Sequence, residues 1–190
     1  MTASGCPRLF ELEAKPALPR HDRKKALFLD RDGVINVNHG YVHTPGQTDW
    51  VDGIFQLCRI AQNADYQLVV VTNQAGIARG YYTEAAYLTY TRWMHGQFAE
   101  RGIRLLATYY CPHHPEGLGE WRLNCECRKP QPGMILAAAD RYDIDLSASV
   151  MVGDNVSDLQ ASQAAGVGAY VMIDEAMADK SRVFPGAQPR

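Results

Sequence analysis

The sequence predicts an α/β fold: a Rossmann-like parallel sheet with helices on both faces and a small Cys/His loop insert. Three observations predict it. Short apolar runs near residues 26–29, 67–72, 105–110, 149–152 and 169–173 alternate with stretches of helical spacing. Strand–helix alternation implies right-handed crossovers and a parallel sheet. The run at 67–72 is β-branched and apolar on both faces, as a central parallel strand is. Finally, several runs end abruptly in acidic or polar residues, at the edge where an open α/β sheet presents its ligand site.

The elements follow in order. Residues 1–25 carry Pro7, Pro16 and Pro19 and then a charged run from Arg20, without periodicity, and are expected to form a loosely attached N-terminal tail. The first strand ends in Asp30-Arg31-Asp32-Gly33. Residues 36–52 contain Gly40, Pro45 and Gly46 and read as a long loop, a kind that is usually functional inside a compact domain. Asp52 is the expected N-cap of a helix to about Ala64, with Ile54, Leu57, Cys58, Ile60 and Ala61 on its apolar face. After the central strand, Asn73-Gln74-Ala75-Gly76 turns, and a helix runs from Thr83 to about Arg101, where Gly102 stops it. A third strand, the Cys/His insert, a helix at 132–142, a fourth strand, a helix at 158–165 and a fifth strand complete a domain of 26–173. Residues 174–190 lack pattern and read as a C-terminal tail.

At 190 residues the chain suits one well-buried domain. A net charge of −2 gives no electrostatic case for nucleic acid or an anionic membrane. No apolar run approaches the ~20 residues that span a bilayer. Leu9-Phe10 is followed at once by Glu11 and Glu13, which does not form a signal-peptide core, so a cytoplasmic location is the default expectation; a monomer is expected separately.

Three of the strands end in groups that phosphoryl transfer requires: Asp30 and Asp32, Thr72-Asn73, and Gly153-Asp154. Arg128-Lys129 enter from the loop before a helix. Parallel strands expose their carboxyl ends on one edge, so these groups converge there. Arg31 is expected to point to the opposite side of the chain, leaving Asp30 and Asp32 to face one pocket. Two carboxylates and a glycine suit Mg²⁺ and phosphate, and a lysine ammonium with hydroxyl donors suits the phosphoryl oxygens. Singly each has a dull reading: Thr72 as a turn cap, Asp154 as an N-cap, Lys129 as a surface charge.

Cys111, Cys125 and Cys127 cluster beside His113 and His114, whereas Cys6 lies in the tail and Cys58 on a helical face. In a cytosolic chain such clustering reads as metal binding rather than disulfides. Three thiolates and one imidazole make a closed tetrahedral Zn²⁺ set at 111–127, with either His113 or His114 as the fourth ligand. It would fix Arg128-Lys129 directly after its last ligand.

The motifs DxDGVIN, VVVTNQ, CRKP and VGDNVSD resemble, in order, the four motifs of the haloacid dehalogenase-like phosphohydrolases, over roughly residues 26–173. The resemblance implies Asp30 as nucleophile, Asp32 as general acid and base, and Thr72 and Lys129 as holders of the phosphoryl oxygens. It implies Mg²⁺ on the Asp30 carboxylate, the Asp32 backbone carbonyl and Asp154, with Asp158 either orienting a metal-bound water or capping a helix. It favours His113 for zinc. Zinc-loop members of the superfamily include heptose bisphosphate phosphatases and the histidinol-phosphatase type; HGYVH and CPHHPEG look like the former. That likeness implies a phosphorylated sugar as substrate, contacted by Asn38, His39, Gly40, Tyr41, Asn73, Gln74, Ala75, Arg128 and Asn155. Asn38 and Asn155 depart from a common aspartate and lysine, which bears on substrate choice. Histidinol phosphate, a DNA 3′-phosphate and a catalytically dead binding module are the competing readings; the last would be expected to have lost a catalytic residue, and none is lost.

Overall fold

The computed structural model describes residues 7–12 and 24–178. Six strands form one sheet: β1 (Arg8–Phe10), β2 (Ala26–Leu29), β3 (Gln67–Asn73), β4 (Leu105–Cys111), β5 (Val150–Gly153) and β6 (Ala169–Met172). The helices are α1 (Ile54–Asn63), α2 (Ala75–Ala78), α3 (Glu84–Ala99), α4 (Gly133–Tyr142), α5 (Val156–Ala165) and α6 (Ile173–Ala178). The order across the sheet is β1-β4-β3-β2-β5-β6, all parallel except β1 against β4. β2 thus has β3 on one side and β5 on the other, and chain order reverses there. The crevice outside such a switch point is where open α/β sheets place ligands, and Asp30 and Asp154 follow these two neighbouring strands.

The alternation along β2 explains its burial on both faces. Leu27 and Leu29 join Ile54, Leu57, Val70, Met94 and Phe98 on one side of the sheet. Ala26 and Phe28 join Val71, Met134, Ile135, Met151 and Ala161 on the other. Successive strand side chains point to opposite faces, so a strand buried twice must be apolar throughout, as this one is.

Three expectations about the chain's ends and its first helix differ from the structure. Residues 8–12 are no loose tail: β1 pairs with β4 in register Leu9↔Tyr109, and Glu11 grips Arg141 of α4 in a bidentate ion pair at 2.9 and 2.6 Å. The Tyr142 hydroxyl also donates to Glu11. The other end differs likewise: α6 carries the chain to Ala178, with Ile173 and Ala176 buried against the α1 side of the sheet. The rest of both predicted tails, with Cys6 and the charged run before Lys24, lies outside the described residues. Lastly, α1 is not capped by Asp52. Its N-cap is Gly53 at φ 80°, without a side-chain bond, a left-handed entry that glycine adopts without strain. No helix among the described residues is long and apolar enough to cross a membrane.

Candidate active site

The segment after β2 folds back sharply. Ile35 N and Asn36 N both donate to the Arg31 carbonyl at 2.8 and 3.1 Å, and Gly33 sits at φ 89°. A Cβ at Gly33 would stand 2.0 Å from Asp154 Oδ2, so only glycine lets this turn lie against the aspartate that follows β5. Asp30, Asp154 and Asp158 bring carboxylate oxygens within 4.8 Å of one another. Lys129 enters among them: its Nζ lies 2.8 Å from Asp30 Oδ1 and 2.6 Å from Asp158 Oδ1, and donates to the Val71 carbonyl at 2.9 Å.

The electrostatics follow from this crowding. Burial pushes the Asp30 carboxyl up to about 7 against the pull of Lys129, and Asp158 and Asp32 raise it further. Asp154 is raised in the same way, by burial first and Asp158 second. Burial alone would lower Lys129, but Asp30 and Asp158 outweigh it and hold the ammonium charged. Asp158 is spoken for, since its Oδ2 also accepts from Asp154 N and Asn155 N at 3.2 and 3.1 Å. That leaves Asp30 and Asp154 as two destabilised carboxylates side by side, a hard-oxygen pair that fits a divalent cation.

Asp32 is held differently. Arg31 does not point away from it, as strand alternation suggested; the chain has already left the strand and turned. The Arg31 side chain is fully buried, its guanidinium lies over Tyr87 and Tyr90, and it curls back to donate to both Asp32 oxygens at 2.6–2.7 Å. Asn36 Nδ2 and Gln74 Nε2 donate to the same carboxylate at 3.1 and 3.2 Å. With that side chain engaged by three donor residues, it is not one of the carboxylates grouped with Asp30 and Asp154. Gln74 also donates to Thr72 Oγ1 at 2.8 Å and accepts from the Tyr82 hydroxyl at 2.7 Å. One buried amide therefore orients both the carboxylate and the hydroxyl. A Gly76 Cβ would come within 2.6 Å of two Tyr82 ring carbons and its hydroxyl oxygen, so the tyrosine packs directly on this turn.

The remaining sequence-predicted residues fall into two sets. Asn73 binds backbone on both sides of its amide, donating to Lys129 O and accepting from Lys129 N, each at 3.0 Å; it locks the second motif to the third. Asn155 caps α5 through a bond from Ser157 N at 3.1 Å and forms a capping box with Asp158. Ala75 opens α2. The loop residues Asn38, His39, Gly40 and Tyr41 are exposed. Asn38 Oδ1 accepts from Gly40 N at 3.1 Å, His39 Nε2 lies 2.7 Å from Asp49, and Tyr41, at φ 55°, packs on Tyr81. Arg128 donates to the His113 carbonyl at 3.3 Å. Arg79, singled out by no sequence motif, donates to the Tyr41 hydroxyl at 2.8 Å.

A second cluster lies one strand away, since Cys111 ends β4 opposite Asn73 of β3. Cys125 Sγ is 3.4 Å from Cys111 Sγ and 3.3 Å from Cys127 Sγ; His113 Nδ1 is 3.8 Å from Cys111 and 3.7 Å from Cys127. A tetrahedron with metal–sulfur bonds of about 2.3 Å has edges of ~3.8 Å, so the four atoms stand close to where zinc would hold them. Of the two adjacent histidines, His113 places a ring nitrogen in the cluster, whereas His114 Nδ1 accepts from the Glu116 backbone amide.

Hydrolysis of a phosphomonoester is chemistry this arrangement can perform: a buried carboxylate, a neighbouring carboxylate fixed by donors, an ammonium and a hydroxyl share one crevice. A family model described as HAD-hydrolase-like matches residues 126–179. The D-glycero-beta-D-manno-heptose-1,7-bisphosphate 7-phosphatase of Vibrio cholerae is 49% identical over 151 residues, covering 79% of this chain and 81% of the relative. Its counterpart in Escherichia coli K12 is 52% identical over 149 residues, 78% of either chain. The crystal structure of D,D-heptose 1,7-bisphosphate phosphatase from B. bronchiseptica, complexed with magnesium and phosphate, superposes with a TM-score of 0.69 at 37% identity, over 77% of this chain and 79% of that one. With this extent of likeness across the same motifs, the chain belongs to the heptose bisphosphate phosphatase family of haloacid dehalogenase-like hydrolases.

Proposed function

We propose that this protein hydrolyses the 7-phosphate of D-glycero-D-manno-heptose 1,7-bisphosphate, releasing heptose 1-phosphate and phosphate. The observation that carries the reading is the joint placement of Asp30, Lys129, Thr72 and Asp32 at one sheet edge, in a chain about half identical to phosphatases of that name. Mg²⁺ held by Asp30, Asp154 and the Asp32 carbonyl would offset the charge of the phosphoryl oxygens and keep Asp30 ionised.

Asp30 attacks phosphorus and becomes an aspartyl-phosphate. Asp32, held by Arg31, Asn36 and Gln74, donates a proton to the departing sugar oxygen and then takes one from the attacking water. Lys129 and the Thr72 hydroxyl steady the phosphoryl oxygens through both steps. Cys111, His113, Cys125 and Cys127 would hold a structural Zn²⁺ and so keep in place the loop that leads into Arg128 and Lys129. In the cell this reaction belongs to cytoplasmic carbohydrate metabolism, supplying heptose for lipopolysaccharide core or a related pathway.

The test is phosphate release from synthetic heptose 1,7-bisphosphate anomers, beside histidinol phosphate, fructose 1,6-bisphosphate and a DNA 3′-phosphate. The heptose bisphosphate is expected to have the highest kcat/KM by at least tenfold. A higher value for histidinol phosphate would replace the substrate while leaving the phosphatase chemistry intact.

A further inference from the structure

The pair of histidines after Cys111-Pro112 does two different jobs. His113 turns into the thiol cluster, and His114 turns toward the rim where the Asn38–Tyr41 loop lies. His114 Nδ1 accepts from the backbone amide of Glu116 at 3.1 Å. A backbone N–H can only donate, and a neutral imidazole accepts at one nitrogen and donates at the other. The proton of His114 is therefore assigned to Nε2. That nitrogen stands 3.3 Å from Arg79 Nη2, and a guanidinium has no acceptor. Two donors face each other with nothing to receive either.

The nearest carboxylate does not resolve the conflict. Glu116 Oε2 is 3.9 Å from Arg79 Nη2, and its side chain is 80% exposed. The other arm of Arg79 is already used, donating to the Tyr41 hydroxyl at 2.8 Å. The frame that holds the two donors is stiff: Leu118 N donates to the Ala78 carbonyl at 2.7 Å, and a Gly117 Cβ would stand 2.9 Å from Ala78 Cβ, so the zinc loop packs directly on α2 beside Arg79. Arg128 reaches the same loop from the other side, through the carbonyl of His113. An oxyanion placed at this fork would accept from Nε2–H and from the guanidinium at once, with a charge-assisted bond from the latter.

We propose that Arg79 and His114, together with Arg128, form the subsite that receives the distal phosphate of the substrate. The inference rests on the bisphosphate reading above and adds two residues to it. The layout suits such a substrate. Gln74 touches Asp32 at the reacting end, and Arg79 lies five residues further along the turn and α2, a helical rise of ~7 Å. Arg128 extends outward from Lys129, which grips Asp30. Two arms thus leave the reacting centre and meet at one rim, where the planar guanidinium forks suit the oxygens of a phosphate.

The experiment compares kcat/KM for heptose 1,7-bisphosphate with that for heptose 7-phosphate in the wild type, R79Q and H114Q. Zinc content is measured in each, because His114 adjoins a proposed ligand. The ratio of the two substrates is expected to fall ten- to a hundredfold in both variants, mostly through KM for the bisphosphate. A wild type that prefers the bisphosphate beside variants that keep that preference would overturn the subsite and leave the proposed function standing. A wild type without preference would remove the bisphosphate reading and the subsite with it. If H114Q loses zinc, R79Q, which touches no ligand, decides the matter.

Discussion

The cluster at Asp30 and the cluster at Cys111 stand on neighbouring strand ends, yet their chemistry is opposite. The first offers hard carboxylate oxygens and already contains a cation, because Lys129 lies within 3 Å of both Asp30 and Asp158. The second consists of sulfur and nitrogen donors whose separations, 3.3–3.8 Å, approach a closed tetrahedron. A lysine among carboxylates supplies part of the balancing charge, so a metal held there by Asp30 and Asp154, as proposed, would need few further protein ligands and could leave room for phosphate. Three cysteine sulfurs and an imidazole closed around a metal would leave no position for substrate. On the proposed reading, the first site would exchange its metal and perform the chemistry, and the second would keep its metal and hold a loop.

The sharpest break between them is Asp30→Asn. An amide cannot attack phosphorus, so turnover should drop on the order of 10⁴-fold or more. Thermal stability should change far less, since the amide still accepts a bond from Lys129. A steady-state assay and a melting curve on one preparation check both; retained turnover contradicts the mechanism. Asp32→Asn comes next, with a loss of roughly 10²–10⁴-fold, the scale of general acid–base help. A substrate with a much better leaving group, such as a nitrophenyl phosphate, should recover part of that loss; equal losses on both substrates would deny Asp32 the role of acid.

Cys125→Ser should invert the pattern. Loss of one thiolate should cost on the order of 3 kcal/mol, or ~10 °C in Tm for a chain of this size, together with the bound zinc. The rate falls only indirectly, through Arg128 and Lys129. A variant that keeps its Tm while losing zinc would make the cluster a bystander.

The smallest effect lies away from both clusters. His95 is buried, accepts or donates at Nε2 to Thr108 at 2.8 Å, packs edge-on against Phe10, and has no hydrogen-bond partner at Nδ1 among the described residues. It lines a cavity of about 220 Å³ beside Glu11 and Arg104. Burial lowers its pKa from 6.5 to about 4. The unfolded chain therefore binds the extra proton first: the contribution of neutral His95 is complete above pH 6.5 and is lost as pH falls toward 4. The loss is at most ~3 kcal/mol. Denaturant unfolding at pH 7 and pH 4.5 should show a smaller drop for His95→Gln than for the wild type, and parallel curves would assign the acid sensitivity elsewhere.

What the sequence made legible were features that carry their own signal. Val69, Val70 and Val71 announce a central strand because a strand buried on both faces must be apolar at every position. The Asp-x-Asp, Thr, Lys and Asp positions are readable because parallel strands deliver their ends to one edge. The misses are residues whose state depends on a distant partner. Arg8–Phe10 is three residues long, too short for a period-two pattern, and is a strand only because β4 offers an edge and Arg141 offers a grip for Glu11. Arg31 is buried because the chain turns at once and Tyr87 and Tyr90, more than fifty residues later, receive its guanidinium. Asp52 has the right chemistry for a cap, but Gly53 enters the helix with a positive φ and displaces it. Arg79 belongs to no motif, and its placement between Tyr41 and His114 emerges only when two loops fold onto the end of α2.

The central claim is that this crevice cleaves one particular phosphate from a heptose bisphosphate. ³¹P NMR of heptose 1,7-bisphosphate, followed during turnover with Mg²⁺, tests it most directly. The account predicts that the 7-phosphate resonance disappears, inorganic phosphate grows in equal amount, and the 1-phosphate signal persists as heptose 1-phosphate. Loss of the 1-phosphate first, or release from both positions at equal rates, would contradict it.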